Sequence, residues 1–113
     1  MSYLFVALSY LIGSINFAYL VAKYKKLDIS SSGSGNPGTS NVMRTIGKKY
    51  AAIVLIGDVF KGFIPIFLFD ENLLLCGFAA VIGHIYPIFY KFKGGKGVAT
   101  YIGVYIAFST LNP

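Results

Sequence analysis

Residues 2–22 form a run of 21 positions without one charged side chain, closed by Lys23, Lys25 and Lys26. A helix of that length reaches roughly 30 Å at about 1.5 Å per residue, which matches the hydrocarbon thickness of a bilayer. A chain that must place such a run somewhere is directed first to a membrane. No basic stretch precedes it in residues 1–5 and no small-residue cleavage site follows. It is therefore not read as a secretory signal and is expected to stay in the mature protein.

Further runs follow the same rule. Residues 50–69 are apolar except for Asp58 and Lys61; Asp70, Glu71 and Asn72 make a polar turn; residues 73–90 lead back to Lys91, Lys93 and Lys96. A fourth run opens after Gly97 and is unfinished at Leu111, Asn112 and Pro113, as expected of a part of something longer. The predicted spans are 2–22, 50–69, 73–90 and 98–113, with loops at 23–49 and 91–97, in a single membrane domain over 1–113. The expected fold class is all-α integral membrane, a polytopic helical bundle.

Composition agrees. Charged residues make up 12% of the chain, against about 25% in soluble domains, so a soluble helical hairpin would lack its polar faces. The apolar content excludes disorder, and the solitary Cys76 excludes a disulfide scaffold. Cys76 has no His or Cys neighbour at ligand spacing, and no metal site is expected. The net charge of +6 sits in short loops between apolar runs, not on the solvated face that a nucleic-acid reader needs. Nine of the ten basic residues fall in 23–49 and 91–96, while Asp70 and Glu71 fall across the predicted membrane. The positive-inside bias makes the basic loops cytoplasmic and puts the N-terminus outside.

Two glycine-rich segments lie on that basic side. In the first, Gly33, Gly35 and Gly38 surround Ser34, Asn36 and Pro37, followed by Thr39, Ser40, Asn41 and Arg44. Glycines let successive N–H groups converge on an anion. Thr39, Ser40 or Asn41 could cap a short helix aimed at the same point, and Arg44 offers a planar cationic fork for phosphate oxygens. Taken alone, the segment also reads as a solvated linker. The second, Gly94-Gly95-Lys96-Gly97-Val98-Ala99-Thr100, opens the fourth span. It is not a Walker A motif, yet it exposes amides, a point charge and a helix N-terminus. The bland alternative is an interfacial lysine with packing glycines. Two such loops on one face suggest a shared anionic ligand.

Asp58 and Lys61 share a helical face, with Lys61 about 16 Å from Tyr50 and near the bilayer midplane by arithmetic. Ligand contact and a structural ion pair are both open readings for them. His84 could carry a proton or hydrogen-bond between helices. Gly13, Ser14 and Asn16 are expected to let helices pack closely.

The first glycine loop with Arg44, the segment Asp58-Val59-Phe60-Lys61-Gly62, and Gly83-His84 leading through Pro87, Phe89 and Phe92 to Lys93-Gly94-Gly95-Lys96-Gly97 resemble the bacterial acyl-phosphate:glycerol-3-phosphate acyltransferase family, PlsY. Order and spacing match over nearly the whole chain. The resemblance implies an enzyme of the bacterial inner (plasma) membrane that moves a fatty acyl group from acyl phosphate to the 1-hydroxyl of glycerol 3-phosphate in phospholipid synthesis, giving lysophosphatidic acid and phosphate. It implies no cofactor and no obligate protein partner. Gly94, Gly95, Lys96 and Gly97 would cradle glycerol 3-phosphate. Ser34, Asn41 and Arg44 would hold phosphate and position the carbonyl, helped by Gly33, Gly35, Asn36 and Gly38, with Lys61 as a further cationic contact and His84 as a weaker catalytic candidate.

Thr39 and Ser40 stand where the family commonly has Ala-Thr, which keeps a hydroxyl. Family members run to about seven spans, so these 113 residues are expected to be a poor catalyst by themselves. The competing readings are a membrane anion or phosphate transporter, which also uses glycine-broken helices, and an inactive structural fragment.

Overall fold

The computed structural model describes residues 3–111. Every regular element among them is helical: α1 (Leu4–Ser14), α2 (Phe17–Tyr24), α3 (Thr39–Thr45), α4 (Lys48–Leu68), α5 (Leu73–Ile85) and α6 (Val98–Leu111), with single 3₁₀ turns at Ile29–Ser31 and Ile88–Tyr90. The segments Leu4–Tyr24, Lys48–Leu68 and Leu73–Tyr90 are long and apolar enough to cross a bilayer, and α6 is apolar but shorter. The chain is an all-helical polytopic membrane protein. Ser2, Asn112 and Pro113, included in the predicted first and fourth spans, lie outside the described residues.

The first apolar run is two helices and not one. Ile15 and Asn16 are extended, and Asn16 restarts the helix by accepting a hydrogen bond from the Tyr19 amide at 3.0 Å. A short amide side chain competes for backbone groups in this way, which is why Asn favours caps over helix interiors. Asn16 is fully buried and its Nδ2 donates to the Pro37 carbonyl at 3.3 Å. Its expected role in close helix packing is therefore corrected: Asn16 marks the break and ties it to the first glycine loop. Ser14 Oγ donates to the Tyr10 carbonyl at 2.9 Å and accepts from the Ile88 amide at 3.4 Å.

The third run is also interrupted. Pro87 disfavours helix at Tyr86, and α5 ends at Ile85 after 13 residues, about 20 Å against a hydrocarbon core of roughly 30 Å. Backbone released at such depth must find partners inside the protein. The Gly94 amide donates to the Ile85 carbonyl at 3.0 Å, the Gly95 amide to the His84 carbonyl at 3.1 Å, and Tyr10 Oη to the Tyr86 carbonyl at 2.7 Å.

Helices approach through glycines, as van der Waals packing in lipid favours. On α1 and α5, Gly13 lies against the Ala80 carbonyl and Gly83 against the Tyr10 carbonyl; on α4 and α6, Gly62 meets the Thr100 carbonyl and Gly103 the Val59 carbonyl. Two apolar clusters fill the interior, one including Ala18, Ile29, Val42 and Val54 and the other Ile66, Cys76, Val104 and Ala107. Large side chains such as Phe67, Leu74, Phe78 and Tyr105 face outward.

Asp28 is an acid on the basic side that the division of charge overlooks. Its carboxylate accepts from the Ser30 hydroxyl at 2.7 Å and the Ser30 amide at 3.1 Å, and these bonds hold its pKa below the usual carboxylate value.

Gly83→Ala puts a methyl group into the Tyr10 backbone and should cost about 1–3 kcal/mol, read as a lower unfolding temperature in detergent. Leu74→Ala on the exposed face of α5 should stay within about 0.5 kcal/mol of the parent.

Candidate functional site

The first glycine loop is built around the amide of Asn41. Its Oδ1 accepts from the Ser34 amide at 3.1 Å and its Nδ2 donates to the Ser32 carbonyl at 3.0 Å. Gly33 and Gly35 adopt φ of +55° and +78°, a region glycine enters without the Cβ penalty. The Gly35 amide donates to the Ser32 carbonyl at 2.9 Å, Asn36 N to Ser34 Oγ at 3.3 Å, and Gly38 N to the Asn36 carbonyl at 3.0 Å. The amides of Ser34, Gly35, Asn36 and Gly38 are thus engaged within the loop itself. The cap of α3 is corrected, since Gly38 occupies the N-cap without a side-chain hydrogen bond, in place of Thr39, Ser40 or Asn41.

The second loop divides its residues between two tasks. The amides of Gly94 and Gly95 are spent on the carbonyls that α5 releases. A Cβ at Gly94 would strike the His84 carbonyl, and one at Gly95 would lie 2.5 Å from His84 Nε2. Their glycine identity follows from that close approach. Gly97 turns the chain at φ +83° into α6, whose first-turn amides have no intrahelical acceptor.

The two loops line one cavity of about 530 Å³. Ser34, Asn36, Gly38, Thr39, Ser40, Asn41 and Arg44 come from the first loop and α3; Lys96, Gly97, Val98, Ala99 and Ile102 come from the second loop and α6. Leu55 and Asp58 of α4 and His84 of α5 complete the lining. Gly33, Gly35, Gly94, Gly95 and Lys61 are not in it. The side chains of Arg44 and Lys96 are exposed and form no ion pair or hydrogen bond with another described residue, so two unneutralised cations face each other's loops across the space. The hydroxyls of Thr39 and Ser40 were expected only as caps; their place in the wall depends on Pro37 and Gly38 turning the chain, which residue type alone did not reveal.

Beneath the wall, Lys61 is 3% exposed. Its Nζ lies 2.8 Å from the Ile15 carbonyl, 2.7 Å from His84 Nδ1 and 3.1 Å from Asp58 Oδ1. The first two contacts are hydrogen bonds, and the third is an ion pair in which the Asp58 oxygen has no hydrogen-bond partner among the described residues. The expected pairing of Asp58 with Lys61 is present, whereas the expectation of Lys61 as a direct cationic contact for substrate meets a side chain already enclosed. The Ile15 carbonyl was missed at the sequence level; Asn16 in the middle of an apolar run was the signal that could have found it.

A polytopic helical membrane protein with a cation-bearing cavity between two glycine loops is the class this fold and site define. The chain belongs to the glycerol-3-phosphate acyltransferase family, whose model matches residues 3–112. It is similar to the glycerol-3-phosphate acyltransferase of Aquifex aeolicus (strain VF5), 47% identical over 111 residues that cover 92% of this chain and 58% of that protein. The Methylobacillus flagellatus relative is 50% identical over 115 residues, covering 95% of this chain and 58% of its own length. The chain therefore spans somewhat over half the length of these curated relatives. Among solved structures it is similar to PlsY (YgiH), an integral membrane glycerol 3-phosphate acyltransferase, in its glycerol 3-phosphate form, with a TM-score of 0.86, 45% identity, and coverage of 96% of this chain and 57% of that one. The lysophosphatidic acid form of PlsY gives a TM-score of 0.83 at the same identity and coverage.

Asn41→Ala removes both braces of the first loop while leaving the helices. The Ser34 amide should then exchange with solvent about tenfold faster in hydrogen-exchange mass spectrometry, as expected for about 1.4 kcal/mol of lost hydrogen bonding.

Proposed function

We propose that this protein transfers a fatty acyl group from acyl phosphate to the 1-hydroxyl of glycerol 3-phosphate at the cytoplasmic face of a bacterial inner membrane, as a step of phospholipid synthesis. The observation that carries this reading is the single cavity that joins Arg44 and Ser34 of one loop to Lys96 and the start of α6 in the other. Family membership supports it, as do the solved forms of PlsY with glycerol 3-phosphate and lysophosphatidic acid.

Both substrates carry phosphate. Lys96 and the first-turn amides of α6 suit the phosphate of glycerol 3-phosphate, and Arg44 with Ser34 suits the acyl phosphate. Asn41 acts on the second pair by holding the loop that carries Ser34. Acyl phosphate is a mixed anhydride: the 1-hydroxyl attacks the carbonyl carbon, the bond from that carbon to the phosphate oxygen breaks, and the hydroxyl proton ends on the released hydrogen phosphate. No acyl-enzyme is needed. Catalysis then comes from orientation and from cations placed where negative charge develops. The acyl chain stays in the bilayer, which the outward apolar faces of the bundle adjoin.

The kinetic test uses a chimaera in which residues 1–111 replace the matching part of the Aquifex aeolicus relative, assayed in lipid with palmitoyl phosphate and radiolabelled glycerol 3-phosphate. Lys96→Ala should raise KM for glycerol 3-phosphate about tenfold or more, since a charge-assisted hydrogen bond is worth about 1.5–3 kcal/mol. Arg44→Ala should lower kcat about a hundredfold. Parent kinetics in both variants, or a preference for palmitoyl-CoA as donor, would overturn the reading.

Sidedness is tested separately. With Cys76→Ser as background, single cysteines at Ser31 and Asn72 should react with an impermeant reagent from opposite sides of the membrane. Reaction from one side would refute both the cytoplasmic face and the outside N-terminus.

A further inference from the structure

Lys61 has a consequence for the chemistry of its neighbour. His84 Nδ1 lies 2.7 Å from Lys61 Nζ, and an ammonium can only donate. Nδ1 must then be the acceptor, which leaves the imidazole proton on Nε2. Asp58 Oδ1 is 3.9 Å from Nδ1, beyond hydrogen-bond range, so it does not compete for that nitrogen. The alternative, a neutral amine accepting from Nδ1–H, would leave the Asp58 carboxylate as a buried anion with no cation beside it, a costly arrangement. A doubly protonated imidazole would turn Nδ1–H against the ammonium. The charged groups facing the ring are thus Lys61 and Asp58, which balance each other.

The opposite edge of the ring faces the site. Nε2 lies against the Gly95 backbone, one residue from Lys96, and His84 is part of the cavity wall. It has no hydrogen-bond partner there among the described residues. We propose that Lys61 is a positioning residue that fixes His84 as the neutral Nε2–H tautomer, so that His84 serves the cavity as an uncharged hydrogen-bond donor to a phosphate oxygen and not as a base. The identity of the recipient rests on the acyl-transfer reading; the tautomer does not.

The chain has a single histidine, so labelling all histidine nitrogens with ¹⁵N reports one ring. With the full chain in lipid nanodiscs, Nδ1 should give a pyridine-type resonance and Nε2 a pyrrole-type resonance between about pH 6 and about pH 8. Protonated Nδ1, or averaging between tautomers, would overturn the proposal. Lys61→Met should release the ring into tautomer exchange, whereas Lys61→Arg, which keeps a permanently charged donor, should retain the fixed tautomer; a mixed ring in Lys61→Arg would refute the lock even if Lys61→Met fails to fold. Inorganic phosphate should move the Nε2 resonance more than Nδ1. Phosphate that binds, seen as ³¹P broadening, yet leaves Nε2 unmoved would refute the donor role. Absence of any phosphate binding would remove that role together with the anion-site reading, while the tautomer measured without phosphate judges the Lys61 lock independently.

Discussion

The carbonyl of Ile15 needs a partner. An apolar run that crosses a bilayer as one helix satisfies its own backbone; a run broken at Ile15 and Asn16 does not, and lipid supplies no donors. Lys61 Nζ, 2.8 Å from that carbonyl, answers the deficit, and Asp58 balances the charge that this brings into the interior. A buried ammonium tolerates such a position because the Ile15 carbonyl and His84 Nδ1 accept from it and the Asp58 carboxylate lies 3.1 Å away as its counter-charge. Removal of any one of these groups would leave another exposed to its full desolvation cost.

The same rule shapes the other interrupted segment. Because α5 stops at Ile85, the carbonyls of His84 and Ile85 turn to the amides of Gly95 and Gly94, and only glycine permits the approach. The second loop is thereby seated on the end of α5, with Gly95 held against the ring of His84. The first loop is seated on the break of the first span through Asn16 and Pro37. Both walls of the cavity stand on places where a membrane helix was interrupted.

This explains what the sequence made legible. Uncharged runs separated by basic loops report transfer free energy, which residue type determines directly, so the all-helical membrane class could be read at once. The pairing of Asp58 with Lys61 followed from helical spacing, and the meeting of Arg44 with Lys96 in one cavity followed from the two loops sharing a face. The interruptions were less accessible. Asn16 sits among apolar residues that would continue a helix, and its preference for capping is settled by a tertiary contact to Pro37. Glycine has several uses, and pattern alone could not distinguish the amides of Gly94 and Gly95 as supports for α5 from amides open to a ligand. Lys61 stayed open between an ion pair and a substrate contact because two of its partners, the Ile15 carbonyl and His84 Nδ1, come from distant positions in the chain.

The contact of Asn16 with Pro37 has a thermodynamic corollary. From Pro37 a strut of covalent and hydrogen bonds runs through Asn16, Ile15, Lys61 and His84 to the amide of Gly95. It joins the two loops from below, where water and salt do not screen it. A glycine-rich loop free in solution loses its entropy each time a ligand orders it; here much of that ordering is complete once the helices have assembled. The separation between the two cationic walls is then preorganised, set by the folded bundle like the jaws of a fixed gauge.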